Sequence, residues 1–89
     1  MTPKLVKIDG SIANALPANG TNFTLEEMYK LIGCDCIQIV RTAQEGVIMV
    51  IDDNGLMNGK APNIVATKLY PFGNMIVGDV LVCPTAMVR

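Results

Sequence analysis

Residues 47–51 read Val-Ile-Met-Val-Ile, and few folds can hold such a run. Successive side chains of an extended strand point to opposite faces of its sheet. An unbroken apolar run must therefore be covered on both faces, which makes 47–52 an interior strand. Turn signals bound it. Residues 42–46 turn the chain before the strand, and Asp53-Asn54-Gly55 turns it afterwards, where Asn-Gly favours positive φ. Residues 56–58 are expected to pair back briefly.

The strongest helix signal is Phe23-Thr24-Leu25-Glu26-Glu27-Met28. Thr24 caps a free backbone N–H, and Glu27 reaches back to the Thr24 amide, the reciprocal pair of a capping box. Phe23 and Met28 supply the hydrophobic staple. Leu25, Met28, Tyr29 and Ile32 share one face, and Gly33 provides a left-handed stop. This predicts a helix over 25–32 with its apolar side on a sheet.

Other segments are plainer. Residues 4–8 alternate as a strand and end at Asp9-Gly10. Residues 11–16 form an irregular strand or extended arm before Pro17, Asn19 and Gly20. Residues 36–41 are a strand rich in Ile and Val. Pro62 suits the first turn of a second helix carrying Ile64, Val65, Lys68 and Leu69, which Pro71-Phe72-Gly73 ends. Residues 75–77 and 80–82 make a closing strand pair, or one bulged strand, across Gly78-Asp79. After Pro84 the chain frays or adds to an edge. The expectation is one domain over 1–89 of α+β class, with a mainly antiparallel sheet of about five or six strands and two short helices.

The chain has 89 residues, of which 51% are hydrophobic and 17% charged. A domain this small buries only about 60–65% of the surface its unfolded chain exposes. Part of the excess apolar surface is therefore expected to be covered by a partner or a second copy, and a homo-oligomer is the expectation. The net charge is −1, and the seven basic residues are scattered. Binding to duplex nucleic acid, which needs clustered cations on phosphates, is not expected. No apolar run approaches the roughly 20 residues of a membrane span, and the N-terminus has no leader pattern.

Cys34, Cys36 and Cys83 are an odd set, which favours free thiols in a reducing cytoplasm. Cys34-x-Cys36 is half of a metal site at best. The chain has no histidine, and tetrahedral zinc takes four ligands. No metal or cofactor is expected, and the cysteines are read as small buried apolar side chains.

Catalysis has little to draw on. Without histidine the commonest general base near neutral pH is missing. No nucleophile elbow, phosphate loop or dinucleotide fingerprint is present, so no catalytic residue is assigned. Asp52 and Asp53, adjacent in a strand, point to opposite faces and read as a solvated hairpin end. Binding has more support. Residues 58–63 lead into the second helix, whose free N–H groups attract anions. Lys60 and Asn63 stand there as a phosphate or nucleobase cradle; alternatively Asn63 simply fixes the turn. Arg41 and Lys68 are further anion contacts. Tyr70 and Phe72 are aromatics able to stack on a base, whereas Tyr29 belongs to the core.

Several segments, taken in order, resemble a known family. They are Thr24-Leu25-Glu26-Glu27-Met28-Tyr29-Lys30-Leu31-Ile32-Gly33-Cys34, Ile37-Gln38-Ile39-Val40, Val50-Ile51-Asp52-Asp53-Asn54-Gly55-Leu56, Pro62-Asn63-Ile64-Val65-Ala66-Thr67 and Ile76-Val77-Gly78-Asp79-Val80-Leu81-Val82. The family comprises small phage and mobile-element proteins known as a domain of unknown function. Its pattern is a helix ending Val-Gly-Gly, a strand with Ile-Glu, an acidic Asp-Glu-x-Gly turn, an Asn-x-x-Ala-Thr segment and an Ile-x-Gly-Asp-x-x-Val strand. The resemblance spans residues 23–83. Cys34 stands where the family tends to have Gly, and Gln38 where it tends to have Glu, which weakens any acid–base role at that strand. Asn63, Ala66, Thr67, Gly78 and Asp79 match.

The resemblance implies a phage setting inside a bacterial host cell. The first expectation is an accessory anti-defence protein that sequesters a small nucleotide signal, with Lys60, Asn63, Thr67, Arg41 and Lys68 as its ligand set. The alternative is a protein-binding inhibitor of a host defence enzyme, docking through a sheet edge or apolar patch. A nuclease-like or hydrolase activity ranks last.

Overall fold

The structure is a computed structural model and describes residues 2–88. Five strands form one sheet: β1 (Lys4–Val6), β2 (Ile12–Asn14), β3 (Ile37–Arg41), β4 (Val47–Asp52) and β5 (Val80–Pro84). Their spatial order is β2-β1-β5-β4-β3, and every pairing is antiparallel. Two helices, α1 (Leu25–Ile32) and α2 (Ile64–Leu69), complete an α+β fold.

Side-chain parity explains the apolar run. Ile48 and Val50 of β4 join Leu81 and Cys83 of β5 in a core with Phe23, Met28 and Ile32 at α1. Val47 and Met49 join Val80, Val82 and Val6 in a second core on the opposite face, with Ala66 of α2 and Ile76. Each face thus has its own helix, and β4 needs apolar groups on both. β5 obeys the same rule: Val80, Leu81 and Cys83 are completely buried. The last strand is therefore the centre of the sheet, not half of a closing pair. Residues 75–77 are not a strand; Val77 makes a single bridge to Pro62.

Helix α1 begins and ends where its sequence says. The Glu27 amide donates to Thr24 Oγ1 at 3.2 Å, and the Thr24 amide donates to Glu27 Oε1 at 3.0 Å. Glu27 Oε2 also accepts from the Ala18 amide at 2.8 Å. These bonds from Thr24 and Ala18 hold the Glu27 carboxyl below its ordinary range. Gly33 closes the helix at φ 75°. The buried stripe is narrower than the apolar face, since Met28 and Ile32 are buried while Leu25 stays 53% exposed. Phe23, before the cap, is buried with Met28 and Ile32 in the same core. Its amide donates to the Met87 carbonyl at 2.8 Å. Thr85–Met87 form a 3-10 turn, and Met87 and Val88 pack against the α1 core instead of fraying.

Two local expectations are corrected. Helix α2 starts at Ile64 with Asn63 as its cap, so Pro62 lies outside its first turn. The segment after β4 is a string of tight turns, with bonds such as Asn58 N to Asn54 O at 2.9 Å and Lys60 N to Gly55 O at 3.0 Å. Asn54 does not take positive φ, and residues 56–58 pair with no strand. Gly55 is needed for space: a Cβ there would meet Val77 Cγ2 at 2.8 Å.

The cap and the exposed face give different expectations for two neighbouring residues. Thr24→Ala should lower the unfolding free energy by about 1 kcal/mol in urea titrations. Leu25→Ala should change it by less than about 0.5 kcal/mol, because little surface is uncovered.

Candidate functional site

Lys60 faces inward. Its Nζ lies 2.8 Å from Asp52 Oδ2. It also donates to the carbonyls of Ile32 at 3.2 Å and Gly33 at 2.9 Å. Those carbonyls end α1, where the helix leaves acceptors unpaired and the dipole favours a cation. One ammonium thus joins the end of α1 to the end of β4. Gly78 lies against its stem, where a Cβ would sit 2.8 Å from Lys60 Cδ.

Asp52 is only 4% exposed and also accepts from the Asn54 amide at 2.9 Å. Burial pushes its carboxyl up, but the Lys60 ammonium and the Asn54 amide outweigh that effect, so it titrates below the ordinary range. The pair Asp52-Asp53 is therefore not a uniformly solvated hairpin end. Asp53 is exposed, while Asp52 is buried and paired.

Asn63 is fully buried. Its Nδ2 donates to the carbonyls of Val6 and Gly78, each at 2.9 Å. Its Oδ1 accepts from the Ala66 amide at 3.0 Å, capping α2. Thr67 Oγ1 donates to the Asn63 carbonyl at 2.7 Å and accepts from the Ile76 amide at 3.0 Å. Asp79 Oδ1 takes the Ile8 amide at 3.0 Å. Lys60, Asn63 and Thr67 thus spend polar groups on the fold. The other reading of Asn63, as a turn-fixing residue, describes its geometry better. Arg41 and Lys68 are exposed on β3 and α2 and do not join the other three.

The opening in the surface lies elsewhere. A cleft of about 430 Å³ runs between the β3–β4 edge and the segment 70–77. Gln38, Val40 and Ile51 line it from the sheet, and Tyr70, Met75 and Val77 from the segment before β5. Leu56 borders it at 77% exposure, Met75 is 51% exposed, and Met57 next to Leu56 is 87% exposed. Phe72, 61% exposed, meets Tyr70 edge to face with ring centres 5.3 Å apart. Asp53 and Asn74 also border the cleft, which has no Lys or Arg among its lining residues. One sequence signal could have found it: Leu56-Met57 are large apolar residues in a turn that has no core to enter.

The cysteines differ from expectation. Cys83 is buried, and burial pushes its thiol up to about 11. Cys34 is half-buried and Cys36 exposed. Desolvation and the Asp53 carboxylate, 3.8 Å away, push the Cys36 thiol up as well. A thiol raised in this way stays protonated at neutral pH and is a poor nucleophile. Among the described residues no three His, Cys, Asp or Glu side chains are grouped to hold a metal ion, and no helix is long and apolar enough to cross a membrane.

Fold and cleft together define a small α+β domain with a helix on each face of an antiparallel sheet and, at the β3 edge, a cleft of mixed polar and apolar lining. The chain belongs to the family described as a domain of unknown function, DUF3846, whose pattern matches residues 2–87. No curated protein and no solved structure matches it.

Two substitutions test these assignments. Asn63→Ala removes the cap and strands two buried carbonyls, so it should cost about 3 kcal/mol by chemical denaturation. Asp52→Asn should cost about 3 kcal/mol at neutral pH, the lower end for breaking a buried pair. The folded carboxyl titrates below its usual 3.8. Its contribution is therefore complete above about pH 4 and is lost as pH falls through the folded value. Stabilities of the native chain and Asp52→Asn should therefore converge as the pH falls below the folded value of that carboxyl.

Proposed function

We propose that this chain acts by binding another protein, and that the cleft beside β3 is its recognition site. The observation that carries this reading is that Leu56 and Met75, both more than half exposed, line one cleft, with exposed Met57 next to Leu56 in the chain and exposed Phe72 edge to face on Tyr70 of the lining. Methionines and aromatics gathered at one opening are the composition of a protein-docking surface. The partner of best fit presents an apolar side chain to Val40 and Ile51 and a basic group to Asp53. A nucleotide fits less well, because phosphates would meet an acidic border with no cation. The sequestration reading also loses its anchors, since Lys60, Asn63 and Thr67 are bonded internally. In the phage and mobile-element setting that the resemblance implies, the partner is a host protein and the effect is inhibitory. Nothing in this role requires turnover.

Quantitative mass spectrometry of proteins captured from bacterial cells by the native chain and by Leu56→Glu and Met75→Glu tests the reading. A protein recovered with the native chain should be lost with both variants. Once purified, it should bind each variant at least about tenfold more weakly by calorimetry. Equal recovery by all three chains would remove the cleft as the site. Thermal stabilisation of the native chain by a cyclic nucleotide or an ADP-ribose derivative would return the sequestration reading to first place.

A further inference from the structure

The sheet has two edges of different character. At one, β2 is three residues long and is braced by the Lys4 ammonium against the Asn14 side chain. At the other, β3 is five residues long and reads Ile-Gln-Ile-Val-Arg, with no proline or lysine. Folded proteins commonly shield a free edge with proline or charged side chains, and of these β3 carries only Arg41, at its end.

The register fixes which backbone groups β3 offers. The Asp53 amide donates to the Cys36 carbonyl at 3.0 Å, and Ile37 stands opposite Asp52. Bonded and non-bonded pairs alternate in an antiparallel ladder. Gln38 and Val40 therefore bond to β4, while the N–H and C=O groups of Ile37, Ile39 and Arg41 point away from the sheet. Among the described residues no backbone group takes them. Ile39 is 49% exposed.

We propose that a second copy of this chain adds to β3 in antiparallel register, across a two-fold axis at Ile39. The outward set is symmetric about Ile39. A two-fold axis there pairs Ile39 with its counterpart and Ile37 with Arg41 on either side, each pair exchanging two backbone hydrogen bonds. Charge selects the same arrangement. Arg41 ends the strand and Asp35 precedes its start. Antiparallel addition sets the guanidinium of each copy at the end of the other that Asp35 precedes, whereas parallel addition would stack Arg41 on Arg41. The exposed Ile39 side chains then cover each other. A five-residue edge buries less than the roughly 1,600 Å² of a standard interface, so the dimer dissociates on dilution. The inference stands apart from the cleft reading. Gln38 and Val40 lie on the other face of β3 from Ile39, and the pairing leaves one cleft on each side of the axis.

Sedimentation equilibrium of the full chain, from about 1 to 500 µM, reads the association. A concentration-dependent dimer is expected. Ile39→Lys should weaken it at least about tenfold, because two ammonium groups would face each other across the axis. Ile12→Lys on the β2 edge should leave it unchanged. Circular dichroism should show both variants folded, since both positions are about half exposed or more. A second measurement does not depend on destabilisation. In a Cys36→Ser background, Ile39→Cys oxidised with diamide should give a covalent dimer, because bonded antiparallel pairs hold their Cα atoms about 5.5 Å apart, within disulfide reach. Ile12→Cys in the same background should stay monomeric on a denaturing gel. A monomer at every concentration, a dimer indifferent to Ile39→Lys, or an uncrosslinked Ile39→Cys would each overturn the proposal.

Discussion

The buried amide of Asn63 holds together parts of the chain that lie far apart in sequence. It reaches the Val6 carbonyl, 57 positions away, and the Gly78 carbonyl, 15 positions away, while its oxygen caps the helix that follows. Each bond is ordinary in length. Their importance comes from what surrounds them. The site excludes water, so a carbonyl left without this donor has no substitute, and the cost of an unmade bond exceeds the gain of a made one. Helix α2 has only six residues, too few to stand by itself. It stays in place because Asn63 and Ala66 tie its first turn to β1 and to the approach of β5. The second apolar core depends on that lid.

Lys60 does the equivalent work on the other face. It reaches the end of α1 and the end of β4 with one ammonium, and Gly78 leaves room for its stem. The two latches meet at Gly78, whose carbonyl serves Asn63 and whose missing side chain admits Lys60. The residues that drew attention in the sequence as a ligand cradle therefore share one region, but that region is the interior. This moves the functional question to two surfaces, the cleft that Tyr70 lines and the free edge of β3. Both lie at the same end of the sheet. The cleft also touches the latches, since Asp52, the partner of Lys60, is among its lining residues.

The α+β class, the antiparallel sheet and both helices were legible in the sequence. Thr24, Glu27 and Gly33 mark α1 because a cap, its return bond and a left-handed stop all act within one or two turns of chain. The two-sided burial of β4 was legible because alternation assigns faces without knowing the neighbours. β5 carries a similar signature in Val80-Leu81-Val82-Cys83, yet its late position suggested a closing strand. Chain order says nothing about order in space once the sheet is antiparallel. Of the cleft, the sequence singles out Tyr70 as an available aromatic, whereas an expected strand pairing over 56–58 passes over Leu56. Its lining comes from segments that parity and periodicity cannot bring together.

The sequence by itself determined the local conformations and which strands need cover on both faces, because both are set by neighbours within a few residues. Tertiary structure decided what each polar side chain is for. Asn63, Lys60 and Asp52 carry the same donors and acceptors whether they meet water, a ligand or a buried carbonyl. Their partners arrive from β1, α1 and the approach to β5, and only the folded chain places those within 3 Å or so of the groups they satisfy.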